Sequence, residues 1–429
     1  MDRYFDRIAG FRSPVTLLAY FVCVAVPLVV EAQNPVKLTR QFAVDVTNPI
    51  DVERKDVFVR IPAGDLTKVV KDFNKNAFAV FAGDREVPSQ YNEPPVLNDG
   101  IVLVLDEIKG REKIILTVRY STTGEYRTNY VKRTQAELSH KTGGKFENRE
   151  YIGGTFKNVK FLRVPREHKD HSWFIRYEGP GWESDKIAYR FYLDQRNATD
   201  AFGKKTTDMI LHNVGKDGFD SYHEMQPWGM DVMKVGKSLG VGSIGYNSNG
   251  NVTRVEKTDS VTCEITKDGE IYSEIETRYY GWDVNGTKIN LFSTIGIHAG
   301  ARQTFQHLRL QGDLDRICSG IVEDPKAGLK VSKGDHSSYG YLATYGKQSL
   351  NDDDLGLAVL FPASALIGVS EDAHSHVADL RVLNESAEYY FLAAWSGEPG
   401  GVNSREAFEA YIGRLARELA NPVSVKIRE

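Results

Sequence analysis

Ile271-Tyr-Ser-Glu-Ile-Glu-Thr-Arg-Tyr-Tyr280 and Lys288-Ile-Asn-Leu-Phe-Ser-Thr-Ile-Gly-Ile297 are long runs of β-branched and aromatic residues, and their reading sets the fold class. Such residues suit the pleated, half-buried surface of a strand. Working outward, Lys186 to Leu193, Ser260 to Thr266 and Ala358 to Phe361 read the same way, so a strand pattern runs from about residue 151 to about 395. Toward the N-terminus, Phe42, Val44 and Val46 alternate, Val57 to Ile61 ends at Pro62, and Phe78 to Ala82 leads into the turn signal Gly83-Asp84. Ile101 to Leu105 and Ile114 to Tyr120 flank Lys109-Gly110-Arg111. Short strands at this spacing predict a small β-sandwich over residues 37–125. The polar stretch 126–150, with Lys141-Thr142-Gly143-Gly144-Lys145, reads as a linker or long surface loop. Residues 151–429 follow as a large antiparallel β-sandwich closed by a helix. That helix is announced by Asn403 and Glu406 as cap and box, by Phe408, Tyr411, Ile412, Leu415 and Leu419 on one face, and by the stop Asn421-Pro422. The expected class is therefore mostly β.

Composition bounds the function. A chain of 429 residues has room for two or three domains, and its 41% hydrophobic and 26% charged residues suit a soluble globular body. A formal net charge of -4 provides no global positive field to draw in nucleic acid. Arg3, Arg7 and Arg12 precede the apolar run Val15 to Val30, and Val30-Glu31-Ala32 supplies small residues at a cleavage site. Residues 1–32 thus read as a secretory signal, placing the mature protein in the periplasm or outside the cell with no membrane span of its own. Thr16 and Pro27 interrupt the run, which is short for a spanning helix of about 20 residues. Cys263 and Cys318 remain after cleavage, enough for one disulfide and too few for a disulfide scaffold or a structural zinc site.

No phosphate loop, His-Glu-x-x-His or nucleophile elbow occurs. Two clusters carry the residue types of sugar chemistry. The first, Trp182-Glu183-Ser184-Asp185-Lys186-Ile187-Ala188-Tyr189-Arg190, sits just before a strand and sets a ring and two acceptors beside a guanidinium suited to binding a carboxylate or sulfate. The plainer reading is a surface turn with a routine ion pair. The second runs from Ser221 through Tyr222, His223, Trp228, Asp231 and Lys234 to Gly236, inside a Gly-rich stretch (213–257) of the kind that forms functional loops over a rigid sheet. Trp228 suits a sugar face, and Tyr222 and His223 suit proton transfer near neutral pH. A packed loop is the competing reading. His374 and His376 alternate but read better as an exposed, unligated pair.

With these blocks in view, the chain resembles the bacterial group known as domain of unknown function 4861. The matching residues are Asn48-Pro49-Ile50-Asp51, Trp182 to Arg190, and Tyr222, His223, Gly229, Met230, Asp231, Lys234, Val235 and Gly236. Tyr389-Tyr390-Phe391, Trp395 and Asn421-Pro422 are similar too. Gly320-Ile321-Val322-Glu323 departs from the pattern, with an acid where a histidine-bearing segment is expected. The resemblance implies a place in polysaccharide degradation, dehydration of uronic-acid-terminated oligosaccharides from ulvan-type glycans, and a large sandwich of the mutarotase and polysaccharide-lyase kind.

Proton removal beside a uronate carboxylate requires a cation to offset growing negative charge, worth roughly 3–4 kcal/mol per good donor. The expected roles follow: Arg190 and Lys234 neutralise the carboxylate, and His223 and Tyr222 act as base and acid. Trp182, Tyr189 and Trp228 belong to the sugar site, where Glu183, Asp185 and Asp231 hold hydroxyls or orient the histidine. An anionic oligosaccharide is the expected partner; no cofactor is called for, and a divalent metal stays open. Two rivals stand beside this reading. One is a glycoside hydrolase using Glu183 with Asp231; the other is a non-catalytic sugar-binding module.

Overall fold

The computed structural model describes residues 36–335 and 338–428. The signal sequence expected over 1–32 lies outside these residues. Among them no helix is long and apolar enough to cross a membrane.

The protein is mostly β, as expected. Its first sandwich pairs a three-stranded sheet (Arg54–Ile61, Gly100–Ile108, Ser89–Asn92) with a five-stranded one. Alternating Val44, Val46, Val57, Val59, Leu103, Leu116 and Val118 fill the space between them. The five-stranded sheet takes one strand from the far end of the chain: Ser424–Ile427 pairs antiparallel with Arg40–Thr47, Val44 opposite Ile427. Residues 151–429 therefore do not form a body by themselves. Without that last strand Arg40–Thr47 would present an open edge, and Ile427 adds to the first sandwich's core.

The second body is built on a nine-stranded antiparallel sheet running from Phe161–Arg163 at one edge to Ala327–Ser332 at the other. The strands Tyr272–Val284 and Thr287–His298 sit near its middle and pair along most of their length. Period-two alternation on Ser386–Trp395 shows how both faces are used. Tyr389, Phe391, Ala393 and Trp395 enter the main core, while Leu392 and Ala394 meet the helix Arg405–Ala420 through its Phe408 and Ile412. The helix begins one residue later than expected: Ser404, not Asn403, caps it by accepting from the Ala407 N–H at 3.1 Å. Across the main core lie two more five-stranded sheets.

The linker expected over 126–150 is overturned. Thr134–Glu137 is a fully buried strand edging one of these sheets, and Ser139–Glu147 pairs with Glu150–Asn158 in a ribbon. The polar residues that read as a connector are the exposed side of that ribbon. Cys263 and Cys318 are both buried and free.

Glu274 lies where the two bodies meet. It is buried, and its carboxylate accepts from the Leu97 N–H (3.0 Å), the Tyr272 hydroxyl (2.7 Å) and the Thr266 hydroxyl (2.9 Å). Burial pushes its pKa from the ordinary 4.5 up to about 7. The folded protein thus keeps a proton that the unfolded chain releases, so this stabilisation is complete below about pH 4.5 and is lost as pH rises through 7. Glu274→Gln is expected to flatten the pH dependence of urea unfolding between pH 5 and 8 by about 3 kcal/mol. An unchanged slope would exclude Glu274 as its source.

Candidate active site

The strands Gly181–Ser184, Ile187–Phe191, Thr199–Lys204 and Gly229–Asp231 lie side by side, with Gly181 opposite Arg190, Arg190 opposite Asp200, and Phe202 opposite Asp231. Side chains alternate across a strand. One face therefore carries Trp182, Tyr189, Phe191, Ala201 and Met230 into the main core. The other carries Glu183, Arg190, Asp200, Lys204 and Asp231.

A row of charges ordinarily faces water. Here loops roof it, and their Tyr177, Leu211, Val214 and Tyr222 form a small apolar cluster with Ala188 and Phe202 from the sheet. Buried charges need partners, and each of these has one. Lys204 Nζ donates to Glu183 Oε2 at 2.8 Å and to the Ser184 carbonyl at 2.7 Å; Glu183 also accepts the Ile210 and Leu211 N–H groups. Arg190 is 1% exposed. Its Nη2 donates to Asp200 Oδ2 and Asp231 Oδ2, both at 2.7 Å, and its Nη1 to the Tyr222 hydroxyl at 2.9 Å and the Tyr177 carbonyl at 3.3 Å. The rings of Tyr192, Phe202 and Tyr222 stand about the same guanidinium at 5.0 to 5.1 Å. Two carboxylates thus share one cation, and burial together with neighbouring Asp200 holds the Asp231 carboxyl well above the usual range.

His223 opens this network to solvent. Its ring lies 4.7 Å from that of Tyr222, its Nε2 is 3.5 Å from Asp231 Oδ2, and its side chain is 43% exposed. Burial and then the Arg190 charge hold the imidazole below its ordinary 6.5, against the opposing pull of Asp200 and Glu178. Burial keeps the Tyr222 phenol protonated, raising its pKa. The arrangement sets a neutral, accessible imidazole beside a buried carboxyl that shares one guanidinium with a second.

The backbone around this network is strained. His171, Trp173, Tyr177 and Glu178 all take positive φ (57°, 58°, 39° and 70°), as does Asn197 (40°). Such residues are uncommon outside glycine, cost about 1–3 kcal/mol each, and persist only where surroundings enforce them. Here the Tyr177 carbonyl is tied to Arg190, and Glu178 accepts from Arg196 Nη2 at 2.6 Å and from the His171 N–H at 3.1 Å. Asp170, His171 and Glu178 bring ligand atoms within 4.8 Å of one another, but Arg196 already bridges Asp170 (2.7 Å) and Glu178, supplying the positive charge a metal would bring.

Several expected roles fail on placement. Trp182 is no sugar platform: it is 1% exposed, donates to Thr304 Oγ1 at 2.8 Å and stacks on Tyr189. Tyr189 is a core residue bonded to the Arg302 carbonyl and the Ala393 N–H. Glu183 is locked to Lys204, and Asp185 to Arg133 Nε at 2.6 Å and the Gly300 N–H at 2.8 Å. The block 182–190 is a hairpin rather than a loop before a strand, so its side chains alternate into two buried faces. Arg190 is saturated by the protein's own groups and does not reach a substrate carboxylate. Lys234 faces Asp352 at 3.7 Å, which also binds Lys326, and makes no contact with the Arg190 network. Trp228 is half-buried on the edge of the roof, packed on Phe202. Glu183 and Asp231 stand three strands apart in register and are tied to separate buried cations, Lys204 and Arg190, so they do not face one another across an open space as a glycosidase pair does. His376 is buried against Glu371 at 3.0 Å, whereas an exposed pair was expected. Asp200, Tyr192, Tyr177, Glu178 and Lys204 escaped sequence reading; the one local signal was Tyr192, two residues after Arg190 and hence on its face.

A model of the family described as "Domain of unknown function (DUF4861)" matches residues 46–425. Among solved structures, the chain is similar to a protein in the glycosyl hydrolase family 38 from Enterococcus faecalis. Identity is 6% and the TM-score 0.45, over 91% of this chain and 48% of that one. It is also similar to an alpha-mannosidase from Enterococcus faecalis V583, at 9% identity and TM-score 0.40, over 91% and 46% of the two chains. The chain spans about half the length of these structures. No curated protein matches it.

Proposed function

Because the chain belongs to the DUF4861 family, we propose that it is a carbohydrate-active enzyme whose His223 moves a proton on an anionic sugar. The reaction is β-elimination on uronic-acid-containing oligosaccharides, such as ulvan-derived ones, carried out in the periplasm or outside the cell. The imidazole removes the proton on carbon 5, the bond from carbon 4 to its oxygen breaks, and the leaving oxygen takes a proton. A carbon 4–carbon 5 double bond remains as an unsaturated uronate end.

One observation supports this reading above the others. A half-exposed imidazole, held below its ordinary pKa, stands 3.5 Å from the buried Asp231 carboxyl, which Arg190 fixes in place. General acid–base catalysis needs an acceptor that is positioned and neutral near the working pH. Arg190 acts as a positioning residue: it orients Asp231 and Tyr222, and its charge lowers the His223 pKa. The substrate class comes from the resemblance of the blocks around Arg190 and His223.

Incubation with a panel of uronate oligosaccharides should raise ultraviolet absorbance as the double bond forms. His223→Ala is expected to lower turnover by about 10²–10⁴-fold while leaving the urea midpoint unchanged, because the side chain is half-exposed. The acidic limb of kcat/KM should fall below 6.5, since a depressed imidazole pKa keeps the base neutral to lower pH. New reducing ends without absorbance would replace elimination by hydrolysis. Full turnover in the His223 variant would remove that residue from the mechanism.

A further inference from the structure

A cavity of about 610 Å³ opens where the first sandwich, the nine-stranded sheet and the C-terminal helix meet. None of the residues described above as the His223 network lines it. Its volume falls within the roughly 300–1,000 Å³ of small-molecule sites. Two kinds of side chain dominate the walls.

The first kind is aromatic. Phe58 from the first sandwich stacks on His298 at 5.0 Å and 20°, and Phe305 meets Tyr390 at 4.9 Å. All four rings, and that of Tyr411 on the helix, are half-buried, so each keeps part of its surface toward the opening. Ring faces of this kind suit the apolar side of a sugar.

The second kind is cationic. Arg54, Lys55, Arg60, Lys186, Arg302 and Arg414 line the cavity, against Asp56 and Glu418. Arg60 is held by Asp99, Arg302 by Glu398 and Arg414 by Glu418. Lys55 and Lys186 have no carboxylate within ion-pair distance among the described residues. Arg54 is 5% exposed, its Nη atoms donate to the Glu418 and Asn421 carbonyls at the helix end, and its enclosed Nε has no acceptor. It adds fixed positive charge to the wall from beneath its surface.

We propose that this cavity is a second binding site, taking an anionic saccharide whose ring lies against Phe58, His298 and Phe305 and whose carboxylate meets Lys186 and Arg414, with the buried charge of Arg54 behind them. It shares the substrate class of the preceding section but uses neither His223 nor its network, so the two readings fail separately. The site holds a stretch of the same glycan away from the reacting end and raises the local concentration of chain ends.

Titration calorimetry on the full chain tests it, with tetragalacturonate and a hyaluronan tetrasaccharide as anionic probes and maltotetraose as the neutral one. Both anionic probes are expected to bind at millimolar or lower concentration, and maltotetraose is not. The double variant Lys186→Glu/Arg414→Glu, at half-exposed and exposed positions, should weaken binding by about tenfold or more. Its urea midpoint and its circular dichroism spectrum serve as the folding control. His223→Ala should bind as the wild type does. Failure of both anionic probes to bind overturns the proposal, as does equal affinity for maltotetraose or indifference to the double variant. Loss of binding in the His223 variant alone would also overturn it, while leaving the proton-transfer reading in place.

Discussion

Arg190→Met is expected to destabilise the protein by about 3–5 kcal/mol, because breaking a buried pair leaves uncompensated charge in the interior. The effect has a definite cause. Asp200 and Asp231 both accept from the same Nη2 at 2.7 Å, and Glu178 lies 3.8 Å from Nη1. Removing the guanidinium leaves carboxylates facing one another under the aromatic roof and takes from Asp231 the cation that opposes the effect of its burial, so its carboxyl is held still further above the usual range. The variant should therefore regain stability as pH falls from 8 to 5, when this carboxyl protonates in the fold before it does in the unfolded chain. Arg190→Lys should recover only part of the loss, since one ammonium cannot serve four acceptors spread across Asp200, Asp231, Tyr222 and the Tyr177 carbonyl. Urea unfolding of both variants at the two pH values measures this. A loss under about 1 kcal/mol would match an exposed salt bridge and show that water reaches the network.

Lys204→Met carries an expected cost of similar size, and here the double variant is the informative one. Both partners of the Lys204–Glu183 pair have side chains with no exposure. Methionine fills the space of the lysine stem but strands the Glu183 charge and the Ser184 carbonyl, for about 3–5 kcal/mol. Adding Glu183→Gln neutralises the stranded carboxylate while keeping an oxygen for the Ile210 and Leu211 N–H groups, so the pair Lys204→Met/Glu183→Gln should be more stable than Lys204→Met alone. Glu183→Leu in place of the glutamine should lose that recovery, because two buried N–H groups then go unpaired. Equal stability of the glutamine and leucine doubles would show that Glu183 matters only for its charge. The same backbone contacts hold down the turn Leu211–Asn213, part of the roof over Arg190, so the leucine variant should also accelerate hydrogen exchange across 205–228.

Much of the architecture is legible along the chain. The strands Phe78–Ala82 and Thr287–His298 stand within a few residues of their expected positions, and the helix face Phe408, Ile412, Leu415 is buried as its spacing requires. The candidate site is legible only in part. Arg190, Tyr222, His223 and Asp231 do converge, although 41 residues separate Arg190 from Asp231. Trp182, Tyr189, Glu183 and Asp185 read as functional in the sequence because a ring beside carboxylates looks like a binding loop. Period two, applied to the same nine residues, would have divided them between two faces. It would not have shown that both faces are buried.

Local pattern by itself determined the mostly β class, the closing helix and the pairing of histidine with tyrosine near an acid, because alternation, capping and residue chemistry act over a few neighbouring positions. Only the tertiary structure decided which charges touch. Register across four strands sets Asp200 and Asp231 on one guanidinium, the roof removes water from them, and the last strand of the chain returns to the first sheet. Those outcomes depend on contacts between segments distant in sequence, whose energies arise only when burial brings the partners together.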